Sequence, residues 1–370
     1  MKIAVAMSGG VDSSVAAALL QRQGHQVEGI FMKNWSPEAG QSLADCPWIE
    51  DQADAEAVCD HLQIPFRSIN FEREYKEQVL DHFLVEYAAG RTPNPDVICN
   101  SRIKFGVFLE AVRQLGFEKM ATGHYAQISH NGLLERAIDS SKDQSYFLHS
   151  LSQEQLAASL FPLGGMLKTQ VRKLALEFGL PTARKKDSQG ICFIGNLDLK
   201  EFLREYSQPI VGRVYLLDHP GEPISEKVNT AAYTLGERVG RLTDNRRYLK
   251  VTGRTDVPPL YVVQRQGNDL LVSPDPHCSG LYSNALILES WKGAGPPDYV
   301  EGLHVKVRYQ QQEFVPLTGL RASPDGRIII GVGEPYAQAA AIGQSAVVYT
   351  SDGEVLGGGV IQETNGIYGN

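Results

Sequence analysis

The sequence is short of most features that would betray a function at once. Cysteine is scarce: Cys46, Cys59, Cys99, Cys192 and Cys278 are all there is in 370 residues. The number is odd and too low for a secreted disulfide framework. No pair stands as C-x-x-C, which argues against a zinc knuckle, and no resident metal site is expected. No apolar run reaches the ~18 residues a membrane helix needs. Lys2 leads straight into the short run Ile3 to Met7, so no signal-peptide core is expected. These absences predict a soluble, cytoplasmic protein with no membrane partner. Positive charge is also in deficit, 35 Lys and Arg against 43 Asp and Glu for a net charge of −8. That is the wrong sign for bulk binding to nucleic acid, so any RNA site has to be a local basic patch. The lysine of G-x-x-x-x-G-K-[ST] and the spacing of G-x-G-x-x-G are both missing from the glycine turn near the start, which excludes the P-loop and the dinucleotide fingerprint.

What is present begins at that turn, Met7-Ser8-Gly9-Gly10-Val11-Asp12-Ser13-Ser14. It lies between an apolar run, Ile3 to Met7, and a stretch with helical spacing, Val15 to Gln23. Strand, glycine turn and helix in that order aim backbone N–H groups and a helix N-terminus at one point, where an anion is stabilised. Gly9 and Gly10 allow close approach, Ser8, Ser13 and Ser14 add hydroxyls, and Asp12 can hold a metal. The same spacing also suits an ordinary turn capped by Asp12 or a serine. SGGVDS after a first strand resembles the PP-loop of the ATP pyrophosphatases, which implies that Ala6 to Ser13 hold the pyrophosphate of ATP, with Mg²⁺.

With 42% apolar residues the chain has material for two or three cores. Gln26 to Met32 reads as a second buried strand, making the first unit parallel β-α-β. A helix over Asp51 to Gln63, a strand over Phe66 to Phe71 and a helix over Glu74 to Ala88 follow. Arg91 to Asn100 reads as a loop, since Pro93 and Pro95 each remove a donor. Phe105 to Leu115 is helical by period, Lys119 to Thr122 a strand ending at Gly123-His124, Ala126 to Ala137 a hairpin around Asn131-Gly132, and Val171 to Phe178 a helix stopped by Gly179. In a doubly wound sheet, ligands bind beyond the carboxyl ends of the strands, which puts SGGVDS and Gly123-His124 at one crevice. From about Ile210 short β-like runs take over, at Gly212 to Leu217, Tyr261 to Gln264 and Leu270 to Val272. Leu303 to Gln310 alternates cleanly, with Leu303, Val305, Val307 and Tyr309 on one face and His304, Lys306, Arg308 and Gln310 on the solvated one. The predicted fold class is therefore α/β, a doubly wound parallel-sheet domain over 1–205. A small β-rich domain over 206–283 and a C-terminal antiparallel β-barrel over 284–370 complete it.

Two cysteines stand apart. Cys99 follows a proline-stiffened stretch beside Asp96 and precedes Arg102 and Lys104, while Cys192 follows Ser188-Gln189-Gly190 and the basic Arg184-Lys185-Lys186. Neighbouring cations favour the thiolate that sulfur chemistry needs. Cys59 sits at a core-like helical position and reads as packing, as do Cys46 and Cys278. At these residues the resemblance becomes specific. SGGVDSS, FMKNW, TPNPDVICN, ATGHYA, KDQSYFL, KDSQGICFIG, YTLGER and GQSAVVY occur in order from end to end. Together they resemble the bacterial tRNA-specific 2-thiouridylase family, within the PP-loop superfamily.

The resemblance implies replacement of the C2 oxygen of wobble uridine 34 by sulfur in the tRNAs for Lys, Glu and Gln. ATP lies in the SGGVDS crevice with Met32 and Gly123 near its adenosine and adenylates the C2 oxygen. Cys192 is the persulfide carrier, Cys99 the nucleophile, and Asp96 a general acid or base, although an Asp there also suits a turn. The sulfur donor is a persulfide delivered by an upstream sulfur carrier or cysteine desulfurase. RNA contacts fall on Asn94, Pro95 and Asp96 at the target base and on His124, Lys142, Asp143, Gln144, Arg308, Tyr309 and Gln344. From the residues alone, Lys142 also suits an exposed lysine and Tyr309 a core aromatic. The middle domain departs from the family at Gly236-Glu237-Arg238-Val239-Gly240, which weakens expected tRNA contacts there. Competing readings are a PP-loop synthetase acting on a non-RNA carboxylate or carbonyl, an RNA-binding module with a retired nucleotide site, and an iron–sulfur protein built on Cys99 and Cys192.

Overall fold

The computed structural model describes residues 1–36, 47–187, 199–231, 233–240, 243–293, 300–311, 314–334 and 336–366. The chain divides into two compact units. One comprises Met1–Asp81, Pro95–Asn196 and Thr350–Gly357, the other His82–Asn94, Leu197–Tyr349 and Gly358–Asn370.

The first unit is built on a five-stranded sheet in the order β3-β2-β1-β4-β7: β1 Lys2–Met7, β2 Gln26–Lys33, β3 Phe66–Asn70, β4 Lys119–Ala121 and β7 Ser159–Leu160. The intervening β5 Gln127–Ile128 and β6 Leu134–Glu135 form the expected small hairpin. Every pairing in the large sheet is parallel, Ile3 lying opposite Val27 on one side and Lys119 on the other. β1 is central, and its residues Ile3 to Met7 are all buried, as a strand covered on both faces requires. Helix α1 (Val11–Arg22) packs Val15, Ala16, Ala17 and Ala18 without exposed surface against this sheet, and small side chains there let helix and sheet approach closely. Helix α2 (Pro47–Leu62) contributes Ala55, Val58 and Cys59 to the same core.

In the second unit a four-stranded sheet, β10-β11-β8-β9, joins β8 Val211–Leu216, β9 Ser225–Asn229, β10 Tyr261–Gln266 and β11 Asp269–Ser273. Its core gathers Val214, Leu216, Ile224, Tyr248, Val262 and Val272. The last sheet runs β15-β14-β13-β17-β18-β12-β16 and closes through an additional β15–β12 pairing, Ala285 opposite Gly331. Its strands are β12 Tyr282–Gly293, β13 His304–Lys306, β14 Val315–Ala322, β15 Ile328–Val332, β16 Ala337–Gln338, β17 Ser345–Tyr349 and β18 Val355–Gly366. Six strands therefore form a closed antiparallel barrel, which leaves no edge to protect. The α/β-plus-barrel class agrees with the expectation. Among the described residues no helix is long and apolar enough to cross a membrane.

Three local expectations are corrected. Arg91 to Asn100 is a loop only as far as Asn94; Pro95–Ile98 is helical and runs directly into a π-helix, Cys99–Phe108. Pro95 opens the helix, where a missing N–H removes no hydrogen bond and a fixed φ is already helical. The strand expected over Leu303 to Gln310 covers only His304–Lys306. Lys306, placed on the solvated face by alternation, is 6% exposed, its ammonium 5.5 Å from the Tyr309 ring centroid and 5.6 Å from that of Phe314. Cation–π contact lets the lysine stem and head occupy an apolar face. The β-rich middle region also contains a helix, Asn245–Thr252, capped by Asp244, whose side chain accepts from the Arg246 and Arg247 N–H groups. The Asn-Arg-Arg polarity of its first turn hid it from a search for apolar period.

Gly29 on β2 offers a test of how tightly α2 sits on the sheet. A Cβ there would lie 2.3 Å from Cys59 Sγ and 3.0 Å from Met7 Cγ. Gly29→Ala should destabilise by about 1–3 kcal/mol in urea unfolding, and Cys59→Ala in the same chain should recover at least half of that loss. A strictly additive double mutant would contradict the contact.

Candidate functional site

The loop after β1 is shaped by two glycines. Gly9 has φ +70°, and a Cβ on it would lie 2.2 Å from the Asp51 carbonyl oxygen. Gly10 caps α1 with extended backbone and no side-chain bond. Within the loop Ser8 and Ser13 hydroxyls lie 3.1 Å apart, the Ser13 hydroxyl lies 3.2 Å from the Gly10 carbonyl, and Ser14 donates to that carbonyl at 2.7 Å. The serines therefore brace the loop from within, closer to the ordinary turn that the spacing also suits than to ligand contact alone. Helix α1 begins at Val11, four residues earlier than expected, so Asp12 and Ser13 occupy its first turn. Ala6 and Met7 are buried in β1, while Met32 lies on β2 at intermediate exposure. Gly123 follows β4 and comes so close that a Cβ would lie 2.7 Å from Ser13 N and 2.8 Å from Asp12 C. The adjacency of β1 and β4 thus brings the two predicted glycine segments together.

Asp12 is engaged by groups that the sequence reading did not name. Lys168 donates to both its carboxylate oxygens at 2.7 and 2.8 Å, and the Tyr125 hydroxyl donates to one at 2.9 Å. Lys168 also lies 2.9 Å from Asp187 Oδ1, whose other oxygen accepts from Lys142 at 2.8 Å. Arg172 pairs with Asp187 too. Burial of Tyr125 beside Asp12 pushes its phenol well above the ordinary range, so it is a neutral donor. Burial works against ionisation of Asp187, yet hydrogen bonds and charge from Lys142 and Lys168 hold its carboxyl well below the usual carboxylate range. A signal for Lys168 existed: it is the first residue of the helix Lys168–Glu177, a place where the helix dipole disfavours a cation. A charge against the local preference marks a tertiary partner.

Asp96, Cys99 and Asn100 sit on the helical run that starts at Pro95. Cys99 is 2% exposed and Asn100 3%. The Asn100 amide donates to the Phe147 carbonyl at 3.4 Å, and among the described residues its oxygen is buried with no hydrogen-bond partner. Burial raises the Asp96 carboxyl above its ordinary value, opposed by the charge of Lys104. Burial, with Lys104 adding to it, holds His124 well below its ordinary value and hence neutral at pH 7. His124 lies 2.8 Å from the Thr122 hydroxyl through Nδ1, and its ring faces Phe105 at 5.9 Å. Asp96 and His124 are thus joined through the field of one lysine that sequence reading had noted only as a neighbour of Cys99. Cys59 has no exposed surface and is pushed up to about 12 by burial and by Asp60, Glu56 and Glu28, an inert thiol as expected of packing. Cys192 and Cys46 lie outside the described residues.

The remaining expected RNA contacts are distributed unevenly. Lys142 is half-exposed against Asp187. Gln144 accepts from Tyr125 N–H at 3.0 Å. Asp143 is 2% exposed, and its carboxylate accepts from Ala137 N–H, Arg136 Nε, Ser145 N–H and the Ser145 hydroxyl at 3.0–3.3 Å. Its environment is that of a turn brace. In the second unit Asn94 is at intermediate exposure. Gln344 donates to the carbonyls of Thr92 at 2.9 Å and Pro93 at 3.3 Å. Arg308 and Tyr309 fall in the turn after β13, both half-buried.

With this geometry in place, comparison with known proteins is decisive. Residues 1–196 match the profile of the tRNA methyl transferase HUP domain, and residues 285–361 that of the aminomethyltransferase β-barrel domain. The tRNA-specific 2-thiouridylases MnmA of Escherichia coli (strain K12 / DH10B) and Shigella boydii serotype 4 (strain Sb227) are each 46% identical to it over 98% of this chain and 97% of their own. The chain belongs to the MnmA family of tRNA-specific 2-thiouridylases. Among solved structures, NMN synthetase from Francisella tularensis aligns over 56% of this chain and 77% of its own, at 18% identity and a TM-score of 0.33. The HUP profile agrees with the parallel sheet and its glycine loop. The positive φ of Gly9 and the close backbone packing of Gly9 and Gly123 hold the loop in place beside the helix N-terminus, where an anion is stabilised.

The Asp187 cluster carries a pH signature. A carboxyl whose folded value is depressed contributes stability that is present above its unfolded value, about 3.9, and is lost as pH falls through the folded value. Asp187→Asn should cost on the order of 1–2 kcal/mol at pH 7, and the gap from wild type in urea unfolding should shrink below about pH 4. A gap constant from pH 7 to pH 3 would contradict the pairing.

Proposed function

We propose that this chain is a tRNA-uridine 2-sulfurtransferase that converts the wobble uridine 34 of tRNA to 2-thiouridine, with the tRNAs for Lys, Glu and Gln as acceptors. The observation that carries the reading is the 46% identity to MnmA thiouridylases over 98% of the chain, together with Cys99 at the head of a helical run that also bears Asp96. Ala6 to Ser13 and Gly123, with Met32 on the adenosine side, would hold ATP and its Mg²⁺. ATP supplies the adenylyl group that makes the uridine C2 oxygen a leaving group.

The protein's own residues then divide the work. Asp96, held towards its protonated form by burial, is suited to exchange a proton with the base. Asn94, Pro95 and Asp96 line the everted uridine, and His124, Lys142, Gln144, Arg308, Tyr309 and Gln344 serve the surrounding RNA, with Asp143 bracing the turn that presents Lys142 and Gln144. RNA bases taken out of a stack are commonly read in such pockets. Cys192 carries the persulfide received from an upstream sulfur carrier or cysteine desulfurase. The terminal sulfur becomes bonded to C2 as the C2–O bond breaks, either by direct attack or after release as hydrosulfide by Cys99. In both versions the Cys99 and Cys192 sulfurs end as a disulfide, and an external reductant returns the two thiols. The division 1–205, 206–283 and 284–370 is proposed as the catalytic, central and tRNA-contacting layout, in the cytoplasm.

Incubation with ATP, Mg²⁺, a persulfide source and unmodified tRNA, followed by nucleoside analysis, should yield 2-thiouridine. Cys99→Ser and Cys192→Ser should each lower the yield by at least about a thousandfold, the loss expected when a nucleophile is removed. Full 2-thiouridine yield in both variants would overturn the two-thiol chemistry, and no 2-thiouridine from the wild type would favour a synthetase acting on a non-RNA carboxylate or carbonyl.

A further inference from the structure

The helix that presents Cys99 is unusual in its winding. From Cys99 to Phe108 it is a π-helix of ten residues, whereas most π segments are a single turn. In such a helix the N–H of residue i+5 bonds to the carbonyl of residue i and each residue turns the chain through a smaller angle than in an α-helix, so position 104 comes round closer to the face of Cys99. In an α-helix the same two residues would point to different sides. A wide winding has poorer internal bonding than an α-helix and needs outside support to persist.

That support is visible. Gln155, in the helix Gln153–Ala157, donates through Nε2 to the Phe105 carbonyl at 2.7 Å and the Ser101 carbonyl at 3.2 Å. Its Oε1 accepts from Ser152 N–H at 2.8 Å in a reciprocal capping box, with Gln155 N–H donating to the Ser152 hydroxyl at 3.2 Å. One side-chain amide is therefore fully used, the oxygen on its own helix and the nitrogen on the π-helix. Gly106 adds to the fit, since a Cβ there would lie 3.1 Å from the same Ser101 carbonyl. Upstream, the Ser101 hydroxyl donates to the Val97 carbonyl at 2.9 Å, tying the π segment to the turn that carries Asp96.

We propose that Gln155 is a positioning residue for the sulfur-transfer site: its amide nitrogen clamps the Cys99–Phe108 π-helix and so fixes the wide winding on which Cys99 sits. The role at Cys99 rests on the thiouridylase reading given above, whereas the clamp itself does not.

Gln155→Glu separates the two halves of the amide. A carboxylate still accepts from Ser152 N–H but sets an oxygen against two carbonyl oxygens, so the cap survives and the clamp does not. Ser152→Ala does the reverse. At pH 8, Gln155→Glu should speed amide hydrogen exchange in peptides spanning 99–108 and change the iodoacetamide alkylation rate of Cys99, located by peptide mapping, by at least about threefold. It should also lower kcat for 2-thiouridine formation about tenfold, as an approximately 1.4 kcal/mol change would, with KM for tRNA within twofold. Ser152→Ala should leave all these near wild type. Wild-type exchange and alkylation in Gln155→Glu, or the same losses in Ser152→Ala, would overturn the clamp. Altered exchange and alkylation in a protein whose wild type makes no 2-thiouridine would uphold the clamp and overturn the functional reading instead.

Discussion

The contact between Gly123 and the first turn of α1 is the constraint on which the first unit's chemistry depends. β1 and β4 are hydrogen-bonded neighbours running the same way, so their carboxyl ends open on one crevice. At that point the chain after β4 passes within van der Waals reach of Ser13 N and Asp12 C, a distance only a residue without Cβ can hold. Gly9 makes the matching approach on the other side, against Asp51 at the start of α2. Two glycines from different parts of the chain thus hold the β1–α1 loop by backbone packing on two sides, a backbone cradle for the loop beside a helix N-terminus.

Around the cradle the charges are arranged in series. Lys168 bridges Asp12 to Asp187, and Asp187 also holds Lys142 and Arg172. Part-buried carboxylates shared among several cations stay ionised and ordered. This arrangement links the glycine loop to Lys142, a residue proposed to contact RNA, through three ion pairs. Lys185 adds a second tie, joining Asp51 and Asp54 on α2.

Much of this was legible in the sequence, and the exceptions have physical causes. The glycine loop, the parallel β-α-β start and the Gly123-His124 segment were readable because each depends on local rules: burial of a central strand, positive φ, and the strand-end position of ligands. The helix beginning at Pro95 was missed because proline was weighed as a breaker, although at the first helical position it is compatible. Lys306 was misplaced because alternation carries no information about cation–π partners, which come from Tyr309 and Phe314 after the turn. Lys168 and Gln155 could not be ranked from sequence, since their partners Asp12, Ser101 and Phe105 are brought near only by folding. Lys168 alone left a trace, in its unfavourable place at a helix start.

The most direct test of the cradle is calorimetric titration of Mg·ATP into wild-type protein and into Gly123→Ala. An added methyl group at 2.7 Å from Ser13 N must displace the loop. The account predicts at least about tenfold weaker binding, roughly 1.4 kcal/mol, with circular dichroism unchanged. Equal affinity in the two proteins would contradict it.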